Sequence, residues 1–485
     1  MSAPLILGTN SIKDTGIALF SYFIGADAKT SITNTTPTNT KKFTISFWIK
    51  IHEFPTSGGD RPIFGYFSDS NNQAYMYLRN DGTLGIFENE SGSTKLDFRT
   101  SQVLRDPSAF YNIIMAIDTS QSTASNRLKL YINGSQVTSF AAENYPAQDY
   151  ASQWNENSLV FHVGGTATND GNHIKGTFCE FAFVDGQQLD QTSFGEFDTD
   201  TPTVFKPISL STLSFGNNGF LLEFKESGSS ANSSGIGADT SGNNRHHSVT
   251  NIVATDQRTD TCTNNFATMN SLVVNTSAES SFAEGNLQVS TTDSGVFGAV
   301  STIGVSSGKW YWEVKPTQIQ NKNAIGVTAA ASADAINNHR PGDGSYSAGI
   351  RSSGDAKLNG SSESGSWDSF TTSDIVGVAL DLDNNKLYFS KNGTFMNSGD
   401  PTSGSTGTGA ISLTDPASTT DGFYFFAFGD PGAGSGTANI AQFNFGSPPY
   451  SISSGNSDAE GFGNFEFSVP SGYFSLCTKN LAEYG

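Results

Sequence analysis

From Val376 the chain alternates, with Val376, Val378, Leu380 and Leu382 falling between Gly377, Ala379, Asp381 and Asp383. This is the period-two pattern of a strand buried on one face. Asn384-Asn385 interrupts the pattern, Leu387 and Phe389 resume it, and Asn392-Gly393 supplies the positive φ angles of a tight turn, so the stretch predicts a hairpin. Phe43 to Lys50 alternates as strictly. Phe43, Ile45, Phe47 and Ile49 take one face and Thr44, Ser46, Trp48 and Lys50 the other, which predicts a long half-buried strand. Residues 111–118 read as a further strand, and Leu128, Leu130 and Ile132 lead into Asn133-Gly134, a second hairpin signal. No long stretch carries apolar residues at helical spacing, so the expected class is all-β with very little helix.

Composition sharpens this reading. A chain of 485 residues suits two or three domains, and its 51 glycines, 37 phenylalanines and low charged fraction of 15% fit short strands joined by polar turns. The formal charge of −20 repels polyanions and anionic bilayers, so nucleic acid is excluded as a partner. The acidity reads either as protection of sheet edges or as carboxylates for Ca²⁺. Cys179, Cys262 and Cys477 are far apart and odd in number, which points to folding in a reducing cytoplasm. The apolar run Pro4-Leu5-Ile6-Leu7 is too short for a signal segment and no apolar span is long enough to insert in a membrane, so no export signal is expected.

The aromatic strand Trp310-Tyr311-Trp312-Glu313-Val314, then Ile325-Gly326-Val327, then the hairpin ending at Asn392-Gly393 together resemble the SPRY (B30.2-like) domain over residues 286–446. That resemblance implies a binding module. Residues 43–50, 110–118, 126–134 and 176–190, in this order, resemble the concanavalin A-like, LamG or pentraxin-type lectin sandwich over residues 17–198. Phe110 stands where that family has a mid-domain Trp, which puts a ligand role for that aromatic in doubt, and the family's calcium ligands have no residue-by-residue match. The expected architecture is two tandem jelly-roll-like β-sandwiches. They are flanked by an N-terminal arm (residues 1–16) and a C-terminal tail (447–485) and joined by a Ser/Asn-rich connector (199–285) that packs across both and adds a strand or two. Within the connector, Asp239-Thr240-Ser241-Gly242-Asn243 is similar to a turn near the start of many LamG modules. Segments 104–134, 183–198, 260–270, 282–290 and 472–485 resemble a recurrent architecture of tailed-bacteriophage virion proteins. This implies a tail fibre, receptor-binding protein or head decoration at the virion surface, assembled in the host cytoplasm.

Chemistry is sparse. Glu88 and Glu90 alternate, but a turn follows them, and they read as solvated carboxylates rather than the paired acids of a glycosidase. His246-His247 reads as a surface loop, and His52, His162, His173 and His339 are isolated. Asp381 and Asp383, on the solvent side of their strand, are weak Ca²⁺ candidates. Sugar binding needs an aromatic face with amide or carboxylate neighbours. Trp154 with Asn155, and Trp367 with Asp368, have such neighbours in turn-rich stretches and are the candidate glycan contacts, whereas Trp48, Trp310 and Trp312 lie in strands and read as packing.

The reading is a non-enzymatic virion protein that binds host cell-surface glycan. Its alternatives are a glycoside hydrolase of surface polysaccharide and a purely structural component without glycan affinity. The partners expected are that glycan and other virion proteins. Residues 3–7 and 462–481 lie outside both sandwich patterns yet are rich in large apolar groups, which predicts that one or both are buried against a neighbouring subunit, in a homotrimer or against another virion protein.

Overall fold

The computed structural model describes residues 21–24, 27–54, 59–167, 173–273, 280–291, 297–319, 323–330, 340–430 and 438–485. The expected N-terminal arm and His339 lie outside these residues. The chain is nearly all β and divides between Thr263 and Asn264 into two compact units. The stretch expected as a connector is split by that boundary.

In the first unit two eight-stranded sheets face each other. Lys42–Ile51 sits in the middle of one, between Phe110–Asp118 and Gly176–Asp185. Phe43, Ile45, Phe47 and Ile49 enter the core as the alternation predicts. The opposite face is not half-exposed, however: Thr44, Ser46, Trp48 and Lys50 are all buried as well. The reason lies further along the chain. Residues after Gly186 return across this face, where Thr44 donates to the Gln187 carbonyl (2.9 Å), Trp48 stacks on Phe205 (6.0 Å) and Lys50 pairs with Asp260 (2.7 Å). Phe220–Leu222, Ser248–Thr250 and Gln257–Arg258 add strands to the same unit. Asn133 (φ 49) and Gly134 (φ 74) make the predicted left-handed turn, as do Asn392 (φ 49) and Gly393 (φ 82) in the second unit.

In the second unit Lys309–Gln318 pairs with Val376–Asp381 on one side and Asn439–Asn444 on the other, and Val376–Asp381 pairs with Lys386–Lys391 as expected. Trp310 and Trp312 point into the core between this sheet and the six-stranded sheet that holds Phe297–Val305 and Tyr424–Asp430. Tyr311 points the other way. Against it the closing segment packs Phe465 and Tyr473, both buried, while Glu313 accepts the backbone N–H groups of Glu466 (3.0 Å) and Phe467 (2.8 Å). Phe474–Ser475 pairs in parallel with Trp310 and Tyr311, and a short helix, Thr478–Tyr484, ends the chain. Phe465 and Tyr473 are thus buried on their own sandwich and need no neighbouring subunit to cover them.

The same covering corrects the Ca²⁺ candidates. Asp381 is fully buried, paired with Lys309 at 3.1 Å and accepting from Asn384 N (3.0 Å) and Nδ2 (2.9 Å). Asp383 stays exposed and accepts the Gly308 N–H at 3.0 Å, so the two carboxylates do not converge on an ion. Among the described residues no group of three or more His, Cys, Asp or Glu side chains is placed to hold a metal.

Two further polar readings change with burial. Glu88 is not solvated: it is fully buried, accepting from Tyr150 Oη (2.8 Å), Ser152 Oγ (2.9 Å) and Gln153 N (2.7 Å), and burial pushes its carboxyl up to about 7. Burial, reinforced by Glu223, pushes Glu180 up to about 8. His247 is buried too, its Nδ1 2.9 Å from the Thr30 hydroxyl, and burial, with Arg245 and His162 nearby, holds its ring down at about 3. Burial also lowers His162 to about 4.

These shifts predict a pH profile. A carboxyl raised from 4.5 on folding contributes stability that is whole below 4.5 and drains away as pH rises through 7 for Glu88 and 8 for Glu180. A ring lowered from 6.5 contributes stability that is whole above 6.5 and is lost as pH falls toward 4 and 3. The melting temperature of the first unit should therefore fall on both sides of mildly acidic pH, and Glu88→Gln and Glu180→Gln should flatten the alkaline limb. Calorimetry between pH 4 and 9 checks this; an alkaline limb identical in wild type and both variants would contradict it.

Candidate glycan-binding face of the first sandwich

Asn72–Leu78, Thr83–Glu90 and Ser93–Val103 are consecutive antiparallel strands in the sheet opposite Lys42–Ile51. Their inward positions are Ala74, Met76 and Leu78, then Leu84 and Ile86, then Leu96 and Phe98, all in the core. Strand geometry then turns the intervening positions outward, namely Gln73, Tyr75 and Tyr77, Gly85, Phe87 and Asn89, and Asp97 and Arg99.

Register assembles these into rows. Tyr75 lies opposite Phe87 and Phe87 opposite Asp97, while Tyr77 lies opposite Gly85 and Gly85 opposite Arg99. Gln73 lies opposite Asn89 at the next position. The Tyr75 ring is 5.3 Å from Tyr77 and 5.9 Å from Phe87. Gly85 is required for this arrangement, because a Cβ there would stand 2.1 Å from Tyr77 Cζ. The bare backbone lets the Tyr77 phenol lie across the middle strand toward Arg99.

Tyr75 and Phe87 are half-buried and keep a face to solvent, whereas Tyr77 is buried beneath its neighbours. Burial, with Asp60 and Asp97 nearby, pushes the Tyr75 phenol up to about 12, and the same causes raise Tyr77 further. Both phenols are therefore neutral donors throughout the physiological range. Burial also raises the Asp60 carboxyl, with Arg79 and Arg99 opposing the rise. The aromatic surface is thus bordered by carboxylates, guanidinium groups and the amides of Gln73 and Asn89. Apolar faces that can stack on pyranose C–H groups, ringed by hydrogen-bonding groups for the hydroxyls, are what sugar recognition requires.

The candidates named from sequence lie elsewhere. Trp154 is fully buried in the short 3₁₀ turn Gln153–Asn155, with its ring edge-on to Phe64 at 5.4 Å. Asn155 is buried too, its Nδ2 donating to Asp185 Oδ1 (2.6 Å) and the Asn39 carbonyl (3.1 Å). Their polar neighbours serve to cap and anchor the turn, and neither residue can touch a ligand. This corrects the Trp154 and Asn155 assignment. Trp367 belongs to the second unit, half-buried and edge-on to Phe389 at 6.3 Å, with Asp368 exposed beside it. The second unit also holds a cavity of about 200 Å³ lined by Val300, Thr328, Pro341, Ser347 and Phe428, and Trp367 is not among its lining residues.

Residues 25–191 match the model of the concanavalin A-like lectin/glucanases superfamily, and residues 309–408 match the SPRY domain model. Among solved structures, the SPRY domain of human HERC1 is 12% identical, with 36% of this chain and 96% of that chain covered and a TM-score of 0.27. A heptameric SAP-like pentraxin from Limulus polyphemus is 18% identical, covering 35% of this chain and 76% of that one (TM-score 0.26). A protein from Bacteroides ovatus, provisionally described as a carbohydrate binding protein, is 11% identical over 48% of this chain and 59% of that one (TM-score 0.31). No curated protein matches the chain significantly. The matches over residues 25–191 and 309–408 give the chain a concanavalin A-like domain followed by a SPRY domain, both β-sandwiches.

Proposed function

We propose that this is a carbohydrate-binding protein of a bacteriophage particle, and that its first sandwich holds host surface glycan on the outward face of Tyr75 and Phe87. The observation that carries the reading is the row Tyr75, Phe87 and Asp97, with Gly85 kept bare beside it. The resemblance of the sequence to virion proteins supplies the setting. Binding without turnover is the reading favoured here, because the buried carboxylate of Glu88 already accepts three hydrogen bonds within the fold and is not free to act on a glycosidic bond.

Bacterial surface polysaccharides applied to the full chain should include a ligand, and Phe87→Ala should weaken its binding about tenfold, the loss of one ring contact of ~1.4 kcal/mol. Calorimetric titration of wild type and variant measures this directly. Release of reducing ends from the bound polysaccharide would sink the non-enzymatic reading, and undiminished affinity in Phe87→Ala would move the site off this sheet.

A further inference from the structure

Cys179 and Cys262 meet in the first unit although 83 positions separate them, with their sulfurs 3.7 Å apart. Two features bring them together. The register of Gly176–Asp185 against Lys42–Ile51 shifts between Cys179 and Phe181, where Glu180 takes φ 55. Such a bulge re-aims the side chains beside it, and Cys179 falls on the outer face with Trp48 and Phe205 rather than in the main core. The second feature is the return of the chain end. Gln257–Arg258 pairs with Ser21 and Tyr22, and the Lys50–Asp260 ion pair fixes the segment just before Cys262. Neither cysteine is in a disulfide, and Cys179 is buried while Cys262 is half-buried.

We propose that Cys179 and Cys262 are a modification site, an oxidisable dithiol that closes to an intramolecular disulfide when the protein meets a low-molecular-weight disulfide such as glutathione disulfide. Cys262, the more exposed of the two residues, attacks one sulfur of the oxidant through its own sulfur and expels one glutathione thiolate, leaving a mixed disulfide. The Cys179 sulfur then attacks Cys262 Sγ and expels the second. The S–S bond of the oxidant is broken, one protein S–S bond forms, and the two thiol protons end on two glutathione molecules. Only a small approach of the sulfurs is required, against a bond length of ~2.05 Å. The covalent ring would enclose residues 179–262, including every strand that this part of the chain adds to the first unit. A chain folded under reducing conditions would acquire the cross-link on reaching an oxidising compartment. Burial, the neighbouring Cys179 and Glu180 raise the Cys262 thiol, so closure should be slow at neutral pH and quicken as pH rises.

The test is incubation of the full chain with glutathione disulfide, followed by non-reducing peptide mass mapping and thermal unfolding. The expected product is a peptide pair joined through Cys179 and Cys262, two hydrogens lighter than the separate peptides. It should melt about 5–10 °C higher than the reduced chain, a gain reversed by dithiothreitol. Cys262→Ser, at the more exposed position, should abolish both changes, and Cys477→Ser, in the other unit, should leave them intact. A glutathione adduct that stops at Cys262, no reaction at all, or a cross-link that engages Cys477 would each overturn the proposal.

Discussion

Trp154→Ala is expected to lower the stability of the first sandwich by about 3–5 kcal/mol, the cost of emptying a large aromatic site in a core that cannot collapse. The indole is fully buried, edge-on to Phe64, and Phe64 in turn contacts Phe47, Phe161 and Phe181, so the cavity would open at the junction of both sheets. The turn that carries it is fixed from outside by Glu88, which accepts the Gln153 N–H and the Ser152 hydroxyl, and so cannot move inward to fill the void. Trp154→Phe should cost less, since it keeps a ring and removes an indole N–H that has no acceptor among the described residues. Denaturant unfolding checks both variants. A Trp154→Ala protein as stable as wild type would show that the ring is a surface group after all.

Asp260→Ala should cost a similar ~3–5 kcal/mol, for an electrostatic reason. Lys50 lies at the centre of a sheet, its side chain wholly removed from solvent, with Asp260 Oδ2 2.7 Å from its Nζ and the Phe110 ring 5.3 Å away. Removing the carboxylate takes a counter-ion at 2.7 Å from a buried ammonium group, whereas removing both charges leaves no such imbalance. The double variant Lys50→Met, Asp260→Leu should therefore recover most of the loss, and a thermodynamic cycle over the four proteins measures the coupling. Equal losses in the single and double variants would mean that shape rather than charge holds this segment in place.

The sequence showed its strands more readily than its surfaces. Residues 43–50 and 376–382 carry their period-two pattern openly, and Asn133-Gly134 and Asn392-Gly393 turn where expected, because these signals depend on neighbours one or two positions away. What covers the outer side of a strand depends on residues far off in the chain. Thr44 and Lys50 are buried by residues 187–260, and Asp381 lies in a face covered by residues 465–475, so alternation alone wrongly sets these polar residues toward solvent, while Trp48 packs as its place in a strand predicts. Trp154 misled for the same reason, since the amides and hydroxyls beside it are those that a buried turn needs for its own hydrogen bonds. The Tyr75 and Phe87 face was legible in part. Gln73-Ala74-Tyr75-Met76-Tyr77-Leu78 is apolar or aromatic at every position but the first, and this run beside an alternating Gly85 and Phe87 is the signal that a strand here carries apolar or aromatic side chains on both faces. Its pairing with Asp97 and Arg99 came only with the register.

The central claim is that rings on this face stack against sugar. Saturation-transfer difference NMR with a bound polysaccharide fragment tests it most directly. Saturation of the aromatic protons should pass to the pyranose C–H protons in the wild-type protein and be lost in the double variant Tyr75→Ala, Phe87→Ala, whose melting temperature should stay within a few degrees of wild type. Full transfer in that variant would contradict it.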